Sequence, residues 1–204
     1  DPNRVATVGA SAGGYLALMA GARIQPRLKA IVPFYGYGDV AGEWYSRPDR
    51  FYLTLPRVLR DDAYRGVGRG ELTEGAMRDR NAFYVYLRQN GLWPREVVGF
   101  DPETEASKYL PFSAERLVTP EYPPTLLLHG DRDVDVPFQM SERMAAALAQ
   151  QGVEHRLVRM EGFNHAFDVF SPYPPQGAPT GLSRREVAEA FDAVVSFLTE
   201  HLGQ

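Results

Sequence analysis

Gly9-Ala10-Ser11-Ala12-Gly13-Gly14 is the stretch that decides the fold of this chain. A short β-branched run, RVATV at residues 4–8, precedes it and predicts a buried strand. The run that follows, residues 12–23, is rich in Ala, Leu and Met and apolar all round, which predicts a buried helix. Ser11 is therefore expected at a sharp turn from a strand into a helix.

The small residues around Ser11 match the G-x-S-x-G nucleophile elbow, in which a strained turn projects the serine from the sheet. The residues two before and two after it, Gly9 and Gly13, must be tiny for the turn to close. The N–H of Ala12, at the helix start, is placed to meet an oxyanion. A glycine-rich structural turn and a phosphate-cradling loop are the alternatives. No Gly-Lys pair follows, and no acidic residue closes a dinucleotide-binding unit.

Strand-like and helix-like segments alternate outward from this turn. Further strands are predicted at residues 28–34, 125–129 and 155–160, and a helix lies between Pro137 and Gly152. Ser183 and Glu186 predict a capping box for a last helix. The apolar stripe of that helix comprises Val187, Phe191, Val194, Val195, Leu198 and Leu202. The order predicts an α/β fold with a mostly parallel sheet and flanking helices, with its chemistry on loops at the carboxyl ends of strands.

The middle of the chain, residues 36–123, differs from the rest and predicts a cap-like insertion in a single domain. It has no strand-length apolar run, and its best helix candidate is residues 71–90. Aromatic side chains concentrate there and just before it. They either line a pocket for an apolar acyl group or, as we prefer, pack the insertion's own core. These residues are Phe34, Tyr35, Tyr37, Trp44, Tyr45, Phe51 and Tyr52.

A serine hydroxyl needs a base, and His165 is the best candidate. It lies in MEGFNHAF, residues 160–167, in a loop that follows the fourth predicted strand. This loop comes after the serine and the candidate aspartates in the chain, in the order that folds with a nucleophile elbow use. The other histidines have simpler explanations: His129 braces a turn, His155 is structural within a strand, and His201 is solvated near the end of the last helix.

The acid that orients the base is expected after the third strand, where HGDRDVDVP at residues 129–137 offers three aspartates. Asp131 is close enough to the strand to fold back and brace the turn. Asp135 is close to a helix start, where a carboxylate favours free N–H groups. Asp133 lies in the middle of the loop, free to reach His165, and is preferred over the other two.

Together the three segments resemble the α/β-hydrolase superfamily, and within it the C-terminal portion of the esterase/lipase branch of hormone-sensitive-lipase-like and prolyl-oligopeptidase-like carboxylesterases. Residues 9–14 are similar to the branch's G-x-S-A-G-G elbow. Residues 129–137 resemble its H-G-x-x-D-x-x-V-P acid loop, and residues 162–167 its G-x-x-H-x-F histidine loop. The resemblance implies Asp133 as the acid. It also implies ester hydrolysis through an acyl-enzyme on Ser11, with no cofactor and no metal.

One departure from the family pattern is expected to matter. Those families carry an H-G-G-type oxyanion loop and further strands before the elbow, and this sequence shows neither. Ala12 alone leaves half of the oxyanion hole unfilled, and the first strand keeps an open edge. We therefore expect a missing N-terminal segment or a complementary chain.

Composition limits the classes of binding partner that this chain is expected to have. The net charge of −4 without a Lys/Arg cluster speaks against nucleic acid, and no apolar run is long enough for a membrane span. The absence of cysteine excludes disulfides and thiolate sites but leaves the compartment open, with the cytoplasm favoured. The expected partner is a small-molecule ester, and a homo-oligomer stays possible.

Two other functions remain open from the sequence. A peptidase or amidase of the prolyl oligopeptidase type would use the same three residues. A hydrolase-like scaffold without its oxyanion loop would instead serve as a non-catalytic binding module.

Overall fold

The computed structural model describes residues 1–65, 67, 77–168 and 184–203. Four strands and seven α-helices are present in that part of the chain, in the order β1 Ala6–Ala10, α1 Ala12–Arg23, β2 Ala30–Phe34, α2 Glu43–Ser46, α3 Arg60–Arg65, α4 Met77–Asn90, α5 Trp93–Val98, β3 Thr125–Gly130, α6 Gln139–Gln150, β4 His155–Met160 and α7 Arg184–Leu202. Short 3-10 helices lie at Tyr52–Thr54, Ala106–Phe112 and Ala114–Arg116.

The strands form one sheet in the order β1-β2-β3-β4, and each neighbouring pair is parallel. Successive residues of a strand face opposite sides, so a sheet covered on both faces needs strands that are apolar throughout. β2 and β3 meet that condition and are buried along their whole length. Ile31 and Leu127 face α1 and α6, whereas Val32 and Leu128 face α7. The predicted α/β fold is confirmed.

Burial at the edge of the sheet differs from the prediction. β1 is only partly buried, and Val8 is 53% exposed, because β1 pairs with β2 alone among the described strands. α1 has the predicted bounds but buries one side only, and its Leu16 is 63% exposed. The expectation of a buried strand at β1 is therefore wrong, and α1 is buried on one side rather than all round.

The last helix buries part of the predicted stripe: Val194 is buried, and Val187 and Leu198 pack against the same core. Ala190, Val194 and Phe197 are its buried residues, whereas Phe191 and Val195 are 43% and 61% exposed. The helix contacts β2 and β3 along one narrow side, through residues spaced three and four apart. Phe191 and Val195 do not lie on that side. The predicted capping serine, Ser183, lies outside the described residues. His201 is partly buried rather than solvated, with Nε2 3.6 Å from Glu154 Oε1.

The described residues divide into two compact units, one of residues 1–39 and 110–204 and one of Val40–Tyr109. The second unit starts later and ends earlier than the predicted insertion at residues 36–123. It contains the predicted helix as α4, which begins at Met77; residues 71–76 lie outside the description. The single domain with a cap-like insertion stays a prediction.

A buried arginine organises the second unit. The Arg88 side chain is fully buried; its Nη2 donates to Asp49 Oδ2 at 2.9 Å and its Nη1 to the Tyr84 hydroxyl at 3.0 Å. Its guanidinium also lies over the rings of Tyr45 and Tyr52, at 4.9 and 4.7 Å from their centroids. The preferred interpretation of the aromatics as a core is confirmed for Tyr45 and Tyr52, which are 3% and 0% exposed.

Arg88→Met is expected to destabilise the chain by about 3 kcal/mol, because removing one partner of a buried ion pair leaves the other uncompensated. The backbone N–H groups of Phe51 and Tyr52 still donate to Asp49 and limit the loss. Urea denaturation measures the change. Arg60→Met is the matched control, since Arg60 is exposed and lies over the Tyr64 ring; it is expected to cost less than about 0.5 kcal/mol. Equal losses in the two variants would contradict a specific role for Arg88.

Candidate active site

Ser11 lies between the end of β1 and the start of α1, as the elbow pattern predicts. Its backbone has φ 54° and ψ −120°, a conformation that non-glycine residues rarely adopt. Two hydrogen bonds hold it there: the Ser11 N–H donates to Phe34 O at 2.9 Å, and the Tyr15 N–H donates to Ser11 O at 3.0 Å. The turn is thus fixed on one side by β2 and on the other by the first turn of α1.

Two glycines make this turn possible. A Cβ on Gly9 would collide with the backbone carbonyl of Gly13, and a Cβ on Gly14 would lie 2.8 Å from Gly36 Cα. Gly9 therefore lets β1 fold back against the helix start, and Gly14 lets α1 approach the chain that leaves β2. The predicted requirement for glycine at residue 9 is confirmed. The one predicted at Gly13 is wrong, because a Cβ there would meet nothing within 4 Å, and Gly14 is the crowded position instead.

The structure brings Ser11, His165 and Asp133 together. His165 follows β4, and its Nε2 lies 3.0 Å from Ser11 Oγ. Its Nδ1 lies 2.7 Å from Asp133 Oδ2, in the loop after β3. The three residues thus meet at the carboxyl edge of the parallel sheet, with a hydroxyl and a carboxylate on opposite nitrogens of one imidazole. The carboxylate on Nδ1 favours the tautomer whose Nε2 lone pair faces the hydroxyl.

Asp133 is buried and held by several donors. Its side chain has no exposed surface, and its Oδ1 accepts the N–H groups of Asp135 and Val136, each at 2.8 Å. Burial by itself raises the pKa of this carboxyl. Hydrogen bonds from His129 and His165 outweigh the burial, so the pKa of Asp133 lies below its ordinary value. The carboxylate is therefore ionised at neutral pH.

The other two aspartates of the loop occupy different positions. Asp131 accepts the Gly162 N–H at 2.7 Å on Oδ1 and pairs with Arg159 through Oδ2, so it ties the acid loop to the histidine loop. The Oδ2 of Asp135 is 3.6 Å from His165 Nε2, on the side of the ring that faces the serine. Only Asp133 lies on Nδ1 of the histidine.

Three comparisons with known proteins identify the family and the fold that this chain shares with them. The sequence model of the prolyl oligopeptidase family matches residues 86–204, more than half of the chain. The chain belongs to the prolyl oligopeptidase family. The predicted resemblance to the α/β-hydrolase superfamily is thereby confirmed. An esterase and peptidases are among the proteins that this chain resembles.

Curated relatives of this prolyl oligopeptidase family member include proteins of different size. A probable isoprenylcysteine alpha-carbonyl methylesterase of Oryza sativa subsp. japonica is 28% identical over 180 residues, which cover 87% of this chain and 37% of the rice protein. The non-reducing polyketide synthase Preu6 of Preussia isomera is 26% identical over 83% of this chain. The matched region spans 9% of that synthase. The chain thus spans well under half the length of these relatives.

Solved structures show the shared fold. A protein of unknown function from Staphylococcus aureus subsp. aureus Mu50 superposes with a TM-score of 0.68 at 20% identity, covering 96% of this chain and 64% of its own. The acylaminoacyl peptidase of Pyrococcus horikoshii superposes with a TM-score of 0.62 at 18% identity, covering the whole of this chain and 25% of its own. No helix in the described part of this family member combines the length and apolar character that a membrane crossing needs.

The structure adds residues around the histidine that sequence reasoning did not single out. Asn164 Oδ1 accepts the N–H of Val134 at 3.0 Å and that of His165 at 2.7 Å, so one side chain joins the acid loop to the histidine loop. The position of Asn164 directly before His165 was its only sequence signal. A side chain that bridges two loops through backbone groups leaves no spacing pattern in a sequence.

Tyr35 packs against the histidine from the end of β2. Its ring lies 4.6 Å from the His165 ring, edge to face, and its hydroxyl donates to Asp168 Oδ1. Burial, followed by the Asp168 hydrogen bond, raises the pKa of Tyr35, which keeps the hydroxyl a neutral donor. The sequence placed Tyr35 among the aromatics of the insertion, but it belongs to the compact unit of residues 1–39 and 110–204, where it packs against the histidine loop.

Proposed function

We propose that this chain carries a serine carboxylic-ester hydrolase activity, with Ser11 as nucleophile, His165 as general base and Asp133 as the acid that orients it. The observation that supports the proposal most strongly is the single imidazole that joins Ser11 Oγ at 3.0 Å and Asp133 Oδ2 at 2.7 Å through different nitrogens. Those distances lie within hydrogen-bond reach, which is the geometric condition for proton transfer from the hydroxyl.

The reaction follows from these positions. Ser11 Oγ attacks the ester carbonyl carbon while its proton moves to His165 Nε2, and Asp133 stabilises the imidazolium that forms. The carbonyl oxygen gains negative charge and faces the N–H of Ala12, one of the first-turn donors of α1 that have no partner within the helix. The second oxyanion donor expected from an upstream loop stays a prediction.

Collapse of the tetrahedral intermediate breaks the bond to the alcohol oxygen, which takes the proton from His165 and leaves as the free alcohol. Water then gives a proton to the same Nε2 and attacks the acyl-enzyme carbon. Collapse of this second intermediate breaks the bond to Ser11 Oγ, which takes the proton back from His165, and the acid product departs. Each cycle consumes one ester and one water and returns the serine and histidine to their starting states. No step needs a metal or an organic cofactor.

The rice methylesterase, similar over most of this chain, favours ester hydrolysis. The prolyl oligopeptidase family match favours amide or peptide hydrolysis by the same residues. The two differ in the leaving group, because an amine must be protonated by His165 before it departs, whereas a phenolate or alkoxide leaves more readily.

Reaction with a fluorophosphonate, followed by peptide mass spectrometry, tests the proposal. We expect one adduct, on Ser11, and a larger kcat/KM for p-nitrophenyl butyrate than for aminoacyl p-nitroanilides. A folded sample that forms no adduct on Ser11 would support the non-catalytic binding module. Turnover of the anilides in preference to the ester would support the peptidase.

A further inference from the structure

His129 is a second histidine at the proposed triad, and the mechanism above does not use it. It lies on β3, one residue before the strand ends, and its side chain has no exposed surface. Its Nδ1 lies 2.7 Å from Ser141 Oγ on α6. Its Nε2 lies 3.2 Å from Asp133 Oδ2 and 2.9 Å from Val136 O. Both ring nitrogens are thus occupied by partners from different elements.

These partners fix where the proton of His129 resides. A carboxylate oxygen and a backbone carbonyl only accept hydrogen bonds, so the Nε2 that faces Asp133 and Val136 must carry a proton. The Ser141 hydroxyl can either donate or accept, and it satisfies Nδ1 by donating. A neutral ring protonated at Nε2 therefore satisfies all three hydrogen bonds. Asp133 thus accepts a hydrogen bond from a second histidine besides His165.

The same carboxylate oxygen consequently accepts two ring N–H groups. Asp133 Oδ2 receives Nδ1–H of His165 at 2.7 Å and Nε2–H of His129 at 3.2 Å, while Oδ1 receives two backbone N–H groups. A fully buried carboxylate is costly unless its lone pairs are filled, and these four donors fill them. They also leave the carboxylate a single orientation toward His165.

We propose that His129 is a positioning residue for the proposed triad, holding Asp133 Oδ2 in line with His165 Nδ1 through its Nε2–H. The inference rests on the proposed function, because Asp133 is a catalytic residue only if Ser11 and His165 act as described. His129 touches neither Ser11 nor the reacting atoms, and it acts through the carboxylate alone.

Two substitutions of similar size separate hydrogen bonding from packing. In His129→Gln, the side-chain amide nitrogen reaches about as far as Nε2 and has two protons for Asp133 and Val136. In His129→Leu, the volume is largely kept and the donor is lost. We expect His129→Gln to stay within about 3-fold of the native kcat/KM. We expect His129→Leu to lose about 10- to 100-fold, mainly in kcat, as for a lost hydrogen bond to a charged group.

The pH profile gives a readout that packing alone would not move. Without the second donor, Asp133 places more negative charge on His165, which raises the pKa of the imidazole. The hydrogen bond from His129 also no longer offsets the effect of burial on Asp133, which raises the pKa of the carboxyl. Activity needs a neutral His165 and an ionised Asp133, so both changes move the acid limb of kcat/KM to higher pH.

Other groups that face the pair are unchanged in these variants, so the shift is attributable to His129. They are Asp135, 3.6 Å from His165 Nε2, and Tyr35, whose ring packs on His165 and whose hydroxyl donates to Asp168. Asp131 is engaged by Arg159 and keeps that contact. His155→Leu, in the neighbouring strand β4, is the matched histidine control and is expected to leave the acid limb in place.

Ser141→Ala tests the inference if His129→Leu does not fold. It removes only the donor to Nδ1, and we expect a smaller shift of the acid limb in the same direction. The inference is overturned if folded His129→Leu keeps the native acid limb, if His129→Gln loses as much as His129→Leu, or if Ser141→Ala shifts nothing. Failure of the proposed function looks different, since Ser11→Ala would then leave native activity intact.

Discussion

Ser11→Ala is expected to lower kcat for ester hydrolysis by about 10⁵- to 10⁶-fold, because losses of this order follow the removal of a triad nucleophile. Alanine keeps the small side chain that the turn accepts at φ 54°, so the fold is expected to remain. The hydroxyl 3.0 Å from His165 Nε2 is lost, so the proposed acyl-enzyme can no longer form. Steady-state hydrolysis of p-nitrophenyl butyrate measures the loss, and circular dichroism checks the fold.

Ser107→Ala is the control for this substitution, because Ser107 is exposed and belongs to the other compact unit. It is expected to keep native activity. Ser11→Gly offers a second check, since glycine adopts positive φ without strain. We expect it to be as inactive as Ser11→Ala and slightly more resistant to thermal unfolding. Ester turnover that survives in both Ser11 variants would show that another group is the nucleophile.

Asp133→Asn is expected to lower kcat by about 10⁴-fold at neutral pH, and the hydrogen bonds of the loop explain why. Two backbone N–H groups, from Asp135 and Val136, donate to one oxygen of Asp133, and only the amide oxygen of asparagine can accept them. The NH₂ group must then face His165 Nδ1. The imidazole proton moves to Nε2, and the nitrogen facing Ser11 can no longer accept a proton.

The neighbouring aspartates provide matched controls in the same loop. In Asp131→Asn the amide oxygen still accepts the Gly162 N–H, and only the pairing with the half-exposed Arg159 weakens. We expect less than about a 3-fold change, in line with the small contribution of exposed ion pairs. Asp135→Asn is expected to change activity less than Asp133→Asn. If Asp135→Asn caused the larger loss, Asp135 would be the functional acid instead.

The acid loop shows how far sequence reasoning could reach. Three aspartates within residues 131–135 have similar local surroundings in the sequence, and the preference for Asp133 depended on its mid-loop position and on a family motif. The structure separates them by partner: Arg159 for Asp131, and His165 Nδ1 for Asp133. Those partners come from β4 and the loop after it, which no local pattern around residues 131–135 reports.

His129 and α7 show the same limit in different ways. His129 was assigned to bracing a turn, and its contact with Asp133 depends on how β3, the acid loop and α6 pack together. Along α7, every apolar residue of a stripe looks equally buried in the sequence. Phe191 and Val195 are exposed because the helix meets the sheet along one narrow line.

What the sequence determined by itself is local: the strand-turn-helix around Ser11, the parallel α/β alternation, and the order of serine, aspartate and histidine along the chain. These features depend on backbone preferences and on the periodicity of apolar residues, which act over a few neighbouring positions. Tertiary structure alone decided which histidine supports Asp133 and which sides of α1 and α7 are covered, and it brought the preferred aspartate to the imidazole. Each of those outcomes is a contact between segments far apart in the chain, and its geometry exists only once the strands have aligned at a common edge.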